Sequence, residues 1–443
     1  KALEEGQEIV SLHFPERSTD HIRIQVDAVA EARDYVGVYT AFAAHDPGRT
    51  LAMEASVPKP VALADLEIRG RAQHPCVNLK PDEVAEIFPR SILVGEKYGT
   101  IKVKIDQPSH EDRIWEVTTL RKDGGYGDGR RPDNVNFGSS IEADLSRRDY
   151  TINSIAVDKA GNVIDPHGGI RDLDMGIIRC VGSPKDRIGE DGLRIIRAFR
   201  FMELGDKGLR EVDKELSEAI SSNLKMLDKI SRERVWSELK IILSGPNARK
   251  VVDTMRAHGV MDKILDGINH CHISGNSTNY SVNLALMCRI DDSDGEKLSS
   301  ILKEKLKLTR EESANIKFLH ECKEVEVVAN ESVARVFRAS LPEYRQRDVL
   351  EYLSCMGKEV SQFETILGSL SELRAGNSPL IDGNTLSAKT SLKPGIRLGR
   401  LKGWLHRIQI EEDIPEMAQL ISRLETMDWE EGEPESWPFL SWP

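Results

Sequence analysis

Glu190-Asp191-Gly192-Leu193-Arg194-Ile195-Ile196-Arg197-Ala198-Phe199-Arg200-Phe201 is the stretch on which the reading of this chain turns. Wound as a helix at about 100° per residue, it gathers Leu193, Ile195, Ile196, Ala198, Phe199 and Met202 on one broad side. Arg194, Arg197 and Arg200 then run as a stripe down the other. A carboxylate beside a guanidinium offers paired acceptors and donors to the edge of a base, and arginines spaced three apart take phosphate oxygens by bidentate contacts. A plain surface helix with a solvated Arg face and an acidic first turn fits the same pattern, so the neighbouring stretches have to decide.

Composition narrows the field. The chain has 443 residues, 39% apolar and 30% charged, a soluble composition with length for roughly two to four compact units. No window approaches about 18 uninterrupted apolar residues, so neither a membrane span nor a membrane partner is expected. Lys1 to Ile24 lacks the apolar core of a secretory signal. Cys76, Cys180, Cys271, Cys288, Cys322 and Cys355 form no CxxC pair and read as reduced core thiols of a cytoplasmic protein. A net charge of −12 argues against indiscriminate binding of polyanions. Contact with nucleic acid therefore needs a local patch. The clearest runs from Gly383 to Arg407, with Lys389, Lys393, Arg397, Arg400, Lys402 and Arg407 and no acidic residue. A solvated basic helix balancing the acidic run from Glu411 to Glu435 accounts for it equally well.

Residues 1 to 80 hold no clear motif; Val57 to Ile68 is strand-like, and Pro58, Pro60 and Pro75 argue against long helices. Pro81 to Phe88 reads as a short helix with proline in its first turn. Ile92 to Val94, Gly99 to Ile105 and Ile114 to Leu120 read as strands, the last two forming a hairpin from which Glu116 projects. Lys122 to Gly138 is a loop by its glycines, with Arg130 and Arg131 able to close over a phosphate. Arg147 to Asn153 packs two Arg, an Asp, a Thr and an Asn ahead of an apolar strand. Such groups need partners if buried, and a polar ligand is one supply. Val163 to Leu173 is a turn with a glycine pair, and Ile177 to Val181 a short strand. Beyond Asp206 the spacing predicts helices over Leu209–Ile220, Leu224–Leu243, Asn247–His258, Val282–Cys288, Ser299–Leu306, Glu311–Ala329 and Val360–Arg374. Gly267 to Asn279 and Gly376 to Asn384 read as hinges.

These residues carry a resemblance. Arg147-Arg148-Asp149-Tyr150-Thr151-Ile152-Asn153 resembles the RRDxTxN motif of class II tRNA nucleotidyltransferases, the CCA-adding enzymes and their bacterial poly(A) polymerase relatives. Asp165-Pro166-His167-Gly168-Gly169 with Asp172-Leu173 resembles their next motif, and Glu190-Asp191-Gly192-Leu193-Arg194 their EDxxR element. Ser231-Arg232-Glu233-Arg234-Val235 with Glu238-Leu239 is similar to the ERxxxE-type segment that follows. The likeness is close from Pro81 to Gly245 and looser from Pro379 to Ile410. Tyr98-Gly99-Thr100 after Gly95 looks more like the CCA-adding branch than the poly(A) branch.

The resemblance implies an α+β fold: an N-terminal nucleotidyltransferase (polymerase-β-like) head with a small mixed sheet, then an all-α neck, body and tail. The boundaries it suggests are an atypical segment at 1–80, the head at 81–182, a nucleotide-selecting neck at 183–268, a body at 269–375 and a tRNA-binding tail at 376–443. It implies addition of C, C and A to tRNA 3′ ends from CTP and ATP, with Asp191 and Arg194 pairing with the base edge. Arg147, Arg197 and Arg200 would contact triphosphate and ribose, Asp149 and Asn153 the sugar side, and Lys389, Lys393, Arg397, Arg400 and Lys402 the tRNA. Glu116 matches the third acidic position of the family's core sheet. The family also opens with a GGxxRD turn and a DxD pair whose carboxylates hold Mg2+ for two-metal phosphoryl transfer. Neither is found: counted back without gaps, the DxD slot falls on Ala72 and His74, and the nearest acidic pair is Asp65 with Glu67. Two other functions stay open at this point, poly(A) synthesis and nucleotide or tRNA binding without catalysis.

Overall fold

The computed structural model of the protein describes residues 80–88, 90–92, 99–105, 113–124, 134–137, 140–158, 162–204 and 208–443, and five strands nearer the N-terminus. The chain divides into two compact units, Lys1–Asp266 with Lys305–Lys307, and Gly267–Glu304 with Leu308–Pro443.

In the first unit the early strands are β1 (Gln7–Leu12), β2 (His21–Gln25), β3 (Tyr35–Tyr39), β4 (Ala52–Pro58) and β5 (Gln73–Val77). Asp65 and Glu67 lie outside the described residues. Helix α1 (Pro81–Ile87) starts where proline costs no hydrogen bond, and the Lys80 N–H donates to the Glu83 carboxylate at 2.6 Å. Then come β6 (Ser91–Ile92), β7 (Thr100–Ile105) and β8 (Arg113–Thr119), with β7 and β8 antiparallel and Lys102 opposite Glu116, the expected hairpin. The stretch from Lys122 to Gly138 departs from its reading as a loop. Its two ends pair antiparallel as β9 (Arg121–Gly124) and β10 (Asn134–Phe137). Val135 and Phe137 continue the alternation that the glycines had obscured, and Phe137 packs where a Cβ on Gly99 would stand 2.7 Å from its ring.

Helix α2 (Ile141–Ser146), strands β11 (Ile155–Asp158) and β12 (Val163–Ile164), helix α3 (Gly169–Met175) and strand β13 (Ile177–Ile178) follow. The main sheet runs β12-β11-β3-β5-β8-β7-β6 and is parallel only between β5 and β8, so it is mixed.

The decisive stretch is two helices, not one. α4 (Pro184–Glu190) ends at Asp191, whose backbone is extended (φ −149, ψ 109), and α5 (Leu193–Arg200) begins two residues later. The Asp191 carboxylate accepts the Leu193 N–H at 3.0 Å, as a capping side chain does. Gly192 is required by close approach, since a Cβ there would meet the Met226 carbonyl oxygen at 2.5 Å. The apolar side of α5 is core as expected: Ile195, Ile196, Ala198 and Phe199 are fully buried. Beyond it lie β14 (Glu211–Val212), parallel to β13, and helices α6 (Lys214–Ser222), α7 (Arg232–Leu243), α8 (Ala248–Ala257) and α9 (Val260–Ile264). The helix expected over Leu224–Leu243 is broken, with a 3-10 turn at Leu224–Lys229 before α7.

All helices of the second unit lie among α10 (Tyr280–Met287), α11 (Gly295–Leu306), α12 (Arg310–Glu321), α13 (Glu331–Ser340), α14 (Glu343–Cys355), α15 (Ser361–Ser369), α16 (Gly383–Thr390), α17 (Ile396–Glu412) and α18 (Met417–Ser422), apart from short 3-10 turns. α12 stops at Glu321, short of Ala329, and the sequence reading missed α13 and α14. Leu386, Leu398, Leu401, Leu405, Leu420 and Trp437 form the core of the last segment. Cys180, Cys271, Cys288, Cys322 and Cys355 are free thiols, and burial pushes Cys180 up to about 12. Among the described residues no helix is long and apolar enough to cross a membrane.

Candidate functional site

An open cleft of about 490 Å³ in the first unit joins the sheet to the helices after it. From the main sheet come Thr100 and Thr118, whose hydroxyls lie 3.2 Å apart, and from the β9–β10 pair Arg121. The turn after α2 supplies Arg147, Arg148, Asp149 and Asn153; α5 with its preceding break supplies Asp191, Arg194 and Arg197; α7 supplies Arg234.

Each charge in this cleft is set by a partner. Asp144, on α2 and without solvent exposure, accepts from Arg147 Nε at 3.0 Å and Nη2 at 2.6 Å through one carboxylate oxygen, and from Arg148 Nε at 3.3 Å and Nη2 at 3.1 Å through the other. Burial pushes its carboxyl up, but the Arg147 and Arg148 charges outweigh this and hold it below the usual carboxylate range. Asp149 accepts the Tyr150 N–H at 2.9 Å and Asn153 Nδ2 at 3.0 Å, and pairs with Arg197 at 2.6 Å. Burial again raises it; the Arg197 charge, the Asn153 hydrogen bond and the Arg194 charge win and hold it at about 2. The Tyr150 hydroxyl, fully buried, donates to the Arg194 carbonyl and locks this turn against α5.

Asp191 and Arg194 do not pair with each other. Arg234 Nη2 donates to Asp191 at 2.7 Å, reaching across from α7. Arg194 donates to Glu190, to the Arg187 carbonyl at 2.8 Å and to the Arg147 carbonyl at 3.2 Å. Arg187 holds the same Glu190 carboxylate at 2.9 Å.

The structure therefore gathers Arg147, Asp149, Asn153, Asp191, Arg194 and Arg197 of the expected residues. Arg200 is elsewhere: it is 7% exposed, paired with Glu238 at 2.9 Å and lying over the Phe201 ring, so it braces α5 against α7 behind the cleft. Glu116 stands in β8, opposite Lys102 of β7. Sequence reasoning passed over Asp144, Arg148, Arg121 and Arg234 as site residues. For Asp144 a signal existed, since residues three and four apart meet on a helix; Arg234 lay in the ERxxxE-type segment, but its pairing with Asp191, 43 residues away, left no trace in the sequence.

Among the described residues no group of three or more His, Cys, Asp or Glu side chains could hold a metal ion. In the second unit, Lys389 and Lys393 are exposed on and after α16, while Arg400 lies over the Phe439 ring. Arg397 is turned onto the chain itself, with Nη2 donating to the carbonyls of Trp429 at 2.8 Å, Glu430 at 2.6 Å and Gly432 at 3.0 Å. That guanidinium satisfies carbonyls and is not presented outward as expected.

Most of the mixed sheet and most of the residues lining the arginine cleft fall within a match to a nucleotidyltransferase head, and helices follow it in the chain. Residues 75–179 match the poly(A) polymerase head domain and residues 211–271 the probable RNA and SrmB-binding site of polymerase A, so the chain carries both domains. Nucleotidyltransferases of this family generally use divalent metal ions. Among curated relatives, the chain is 43% identical over 181 residues to a CCA-adding enzyme of Geobacillus thermodenitrificans, covering 41% of this chain and 43% of that protein. It is 43% identical over 176 residues to the CCA-adding enzyme of Bacillus subtilis, covering 40% and 42%. The match thus spans under half the length of these relatives. In fold, the chain is similar to the Bacillus stearothermophilus CCA-adding enzyme solved in complex with CTP, with a TM-score of 0.62 at 23% identity over 81% of this chain and 90% of that one. It is also similar to the Thermotoga maritima CCA-adding enzyme complexed with tRNA, with a TM-score of 0.55 at 18% identity over 89% and 91%.

Proposed function

We propose that this chain adds C, C and A, or part of that sequence, to the 3′ end of tRNA, consuming CTP and ATP without a nucleic-acid template. The observation that carries the reading is the convergence of Asp191 and Arg194 with Arg147, Asp149 and Arg197 on one cleft. A fixed carboxylate and a fixed guanidinium present acceptor and donors to a base edge, and neighbouring arginines take phosphate and ribose oxygens. Asp149 and Asn153 hold the sugar side, and Arg200 acts from behind the cleft by bracing α5 through Glu238. The RNA 3′-hydroxyl attacks the α-phosphorus in line; the new O–P bond forms as the bond to the bridging β-phosphate oxygen breaks, and pyrophosphate leaves. Position 116 is the strand carboxylate beside this reaction. The divalent ion is Mg2+ in this reading, and the described residues supply binding and orientation rather than its ligands.

The head spans 81–182, the neck 183–268, the body 269–375 and the tail 376–443, where Lys389, Lys393, Arg400 and Lys402 meet tRNA. Free thiols support a cytoplasmic site of action.

The test is incubation with labelled CTP and ATP, Mg2+ and tRNA lacking its end. Ordered incorporation of C, C and A, or of a defined part of it, is the expected result; a long A tail on generic RNA would replace the reading with poly(A) synthesis. The missing GGxxRD and DxD patterns favour a second reading, a protein that holds nucleotide and tRNA without turnover. Saturable CTP binding with no incorporation would identify it.

A further inference from the structure

Asp144 was not among the residues that composition or resemblance singled out, yet the arginines of the cleft floor are built around it. α2 ends at Ser146, and the next two residues both fold back to reach Asp144 three and four positions earlier. Two guanidiniums on adjacent residues repel each other, and held side by side they need a carboxylate between them. Asp144 supplies one with each oxygen facing a different arginine, and one of those oxygens also accepts the Arg121 backbone N–H at 3.2 Å. Asp144 thereby fixes the direction of both guanidiniums. The side chains of Arg147 and Arg148 stay 17% and 13% exposed, and with Arg121 they line the cleft. The acid–base pairs at Asp191 with Arg234 and Arg194 with Glu190 lie on other elements, and the two ends are joined through backbone carbonyls: those of Ser146 and Arg147 accept from Arg187 and Arg194, and that of Arg194 accepts from the Tyr150 hydroxyl.

We infer that Asp144 is a positioning residue that holds Arg147 and Arg148 as a clamp for a polyphosphate chain, separately from the groups that choose the base. The inference rests on the nucleotide reading above and adds a division of labour to it. A merely structural Asp144 would alter stability; a positioning Asp144 alters the binding of any polyphosphate while leaving the preference among bases unmoved.

The experiment is equilibrium binding of inorganic tripolyphosphate, CTP and ATP to the full chain and to Asp144→Asn, at fixed ionic strength and with thermal melting of both proteins. Asp144→Asn is expected to bind all three roughly tenfold more weakly, the scale of one charged hydrogen-bonding group, with the CTP-to-ATP ratio unchanged. Tripolyphosphate binding equal to wild type, or unequal losses for CTP and ATP, overturns the proposal. Should Asp144→Asn fail to fold, Arg148→Gln takes its place, leaving the Asp144–Arg147 pair whole; a several-fold loss on all three ligands supports the clamp, and no loss overturns it. The nucleotide reading is tested separately by the wild type. If the wild type binds CTP but not tripolyphosphate, the clamp fails alone; if it binds tripolyphosphate but neither nucleotide, the reading fails and the clamp stands.

Discussion

In the first unit, Arg147, Arg148, Arg194, Arg197 and Arg234 each end on a carboxylate, and those carboxylates come from helices, turns and breaks up to 48 residues away. In the second, the cations of 383–407 meet backbone carbonyls, aromatic rings or solvent, and only Arg407 has an ion pair, with Glu411 at 2.7 Å. The two stretches look alike as sequence, but the arginines of one are fixed on carboxylates, while in the other the arginines rest mainly on carbonyls and rings and Lys389 and Lys393 stand exposed. A fixed guanidinium can discriminate, because moving it to suit the wrong ligand leaves a buried carboxylate unpaired. A loose lysine can only attract.

The largest effect is expected at Arg197→Ala, which strips the buried Asp149 of its ion pair; a loss of about 3 kcal/mol in urea unfolding is the scale for breaking such a pair. A loss under 1 kcal/mol would mean that the first unit is no more committed to its pairs than the second. Next comes pH. Asp149 has its folded pKa depressed from 3.8 to about 2, so between those values the unfolded state binds more protons. Its stabilisation, about 2 kcal/mol, is therefore complete above about pH 4 and lost as pH falls toward 2. Asp149→Asn should flatten that part of the pH–stability curve. Arg397→Gln should cost about 1–2 kcal/mol, as hydrogen bonds from a charged group to carbonyls do, read as a lower melting temperature. The smallest effect on stability is expected for Lys389→Gln with Lys393→Gln, within about 0.5 kcal/mol. The same pair should weaken tRNA binding and reduce its salt slope by roughly 1–2. An unchanged slope would remove these lysines from the RNA contact.

Much of this arrangement could be read before any coordinates. The amphipathic side of Leu193–Phe201 is core, and the hairpin carrying Glu116 pairs as alternation predicts. The break at Asp191 was hidden because Glu, Asp and Gly suit a helix's first turn as well as a boundary, and what enforces it is the Met226 carbonyl packed against Gly192 from a distant turn. The same long range hid the pairing of Arg234 with Asp191. The cationic stripe was legible as a pattern but misread as one surface: Arg194 and Arg197 face the cleft, while Arg200 points to Glu238, 38 positions on, which no periodicity reports. Helices α13 and α14 escaped because Glu331–Cys355 scatters charged residues among its apolar ones and is divided by Pro342.

Competition between CTP and UTP, and between ATP and GTP, for wild type and Arg194→Ala decides whether Arg194, held by Glu190 and two carbonyls, selects the nucleotide together with Asp191. The wild type should take CTP and ATP, and the variant should lose this preference while binding tRNA as before; unchanged selectivity in the variant would rule Arg194 out as a selector.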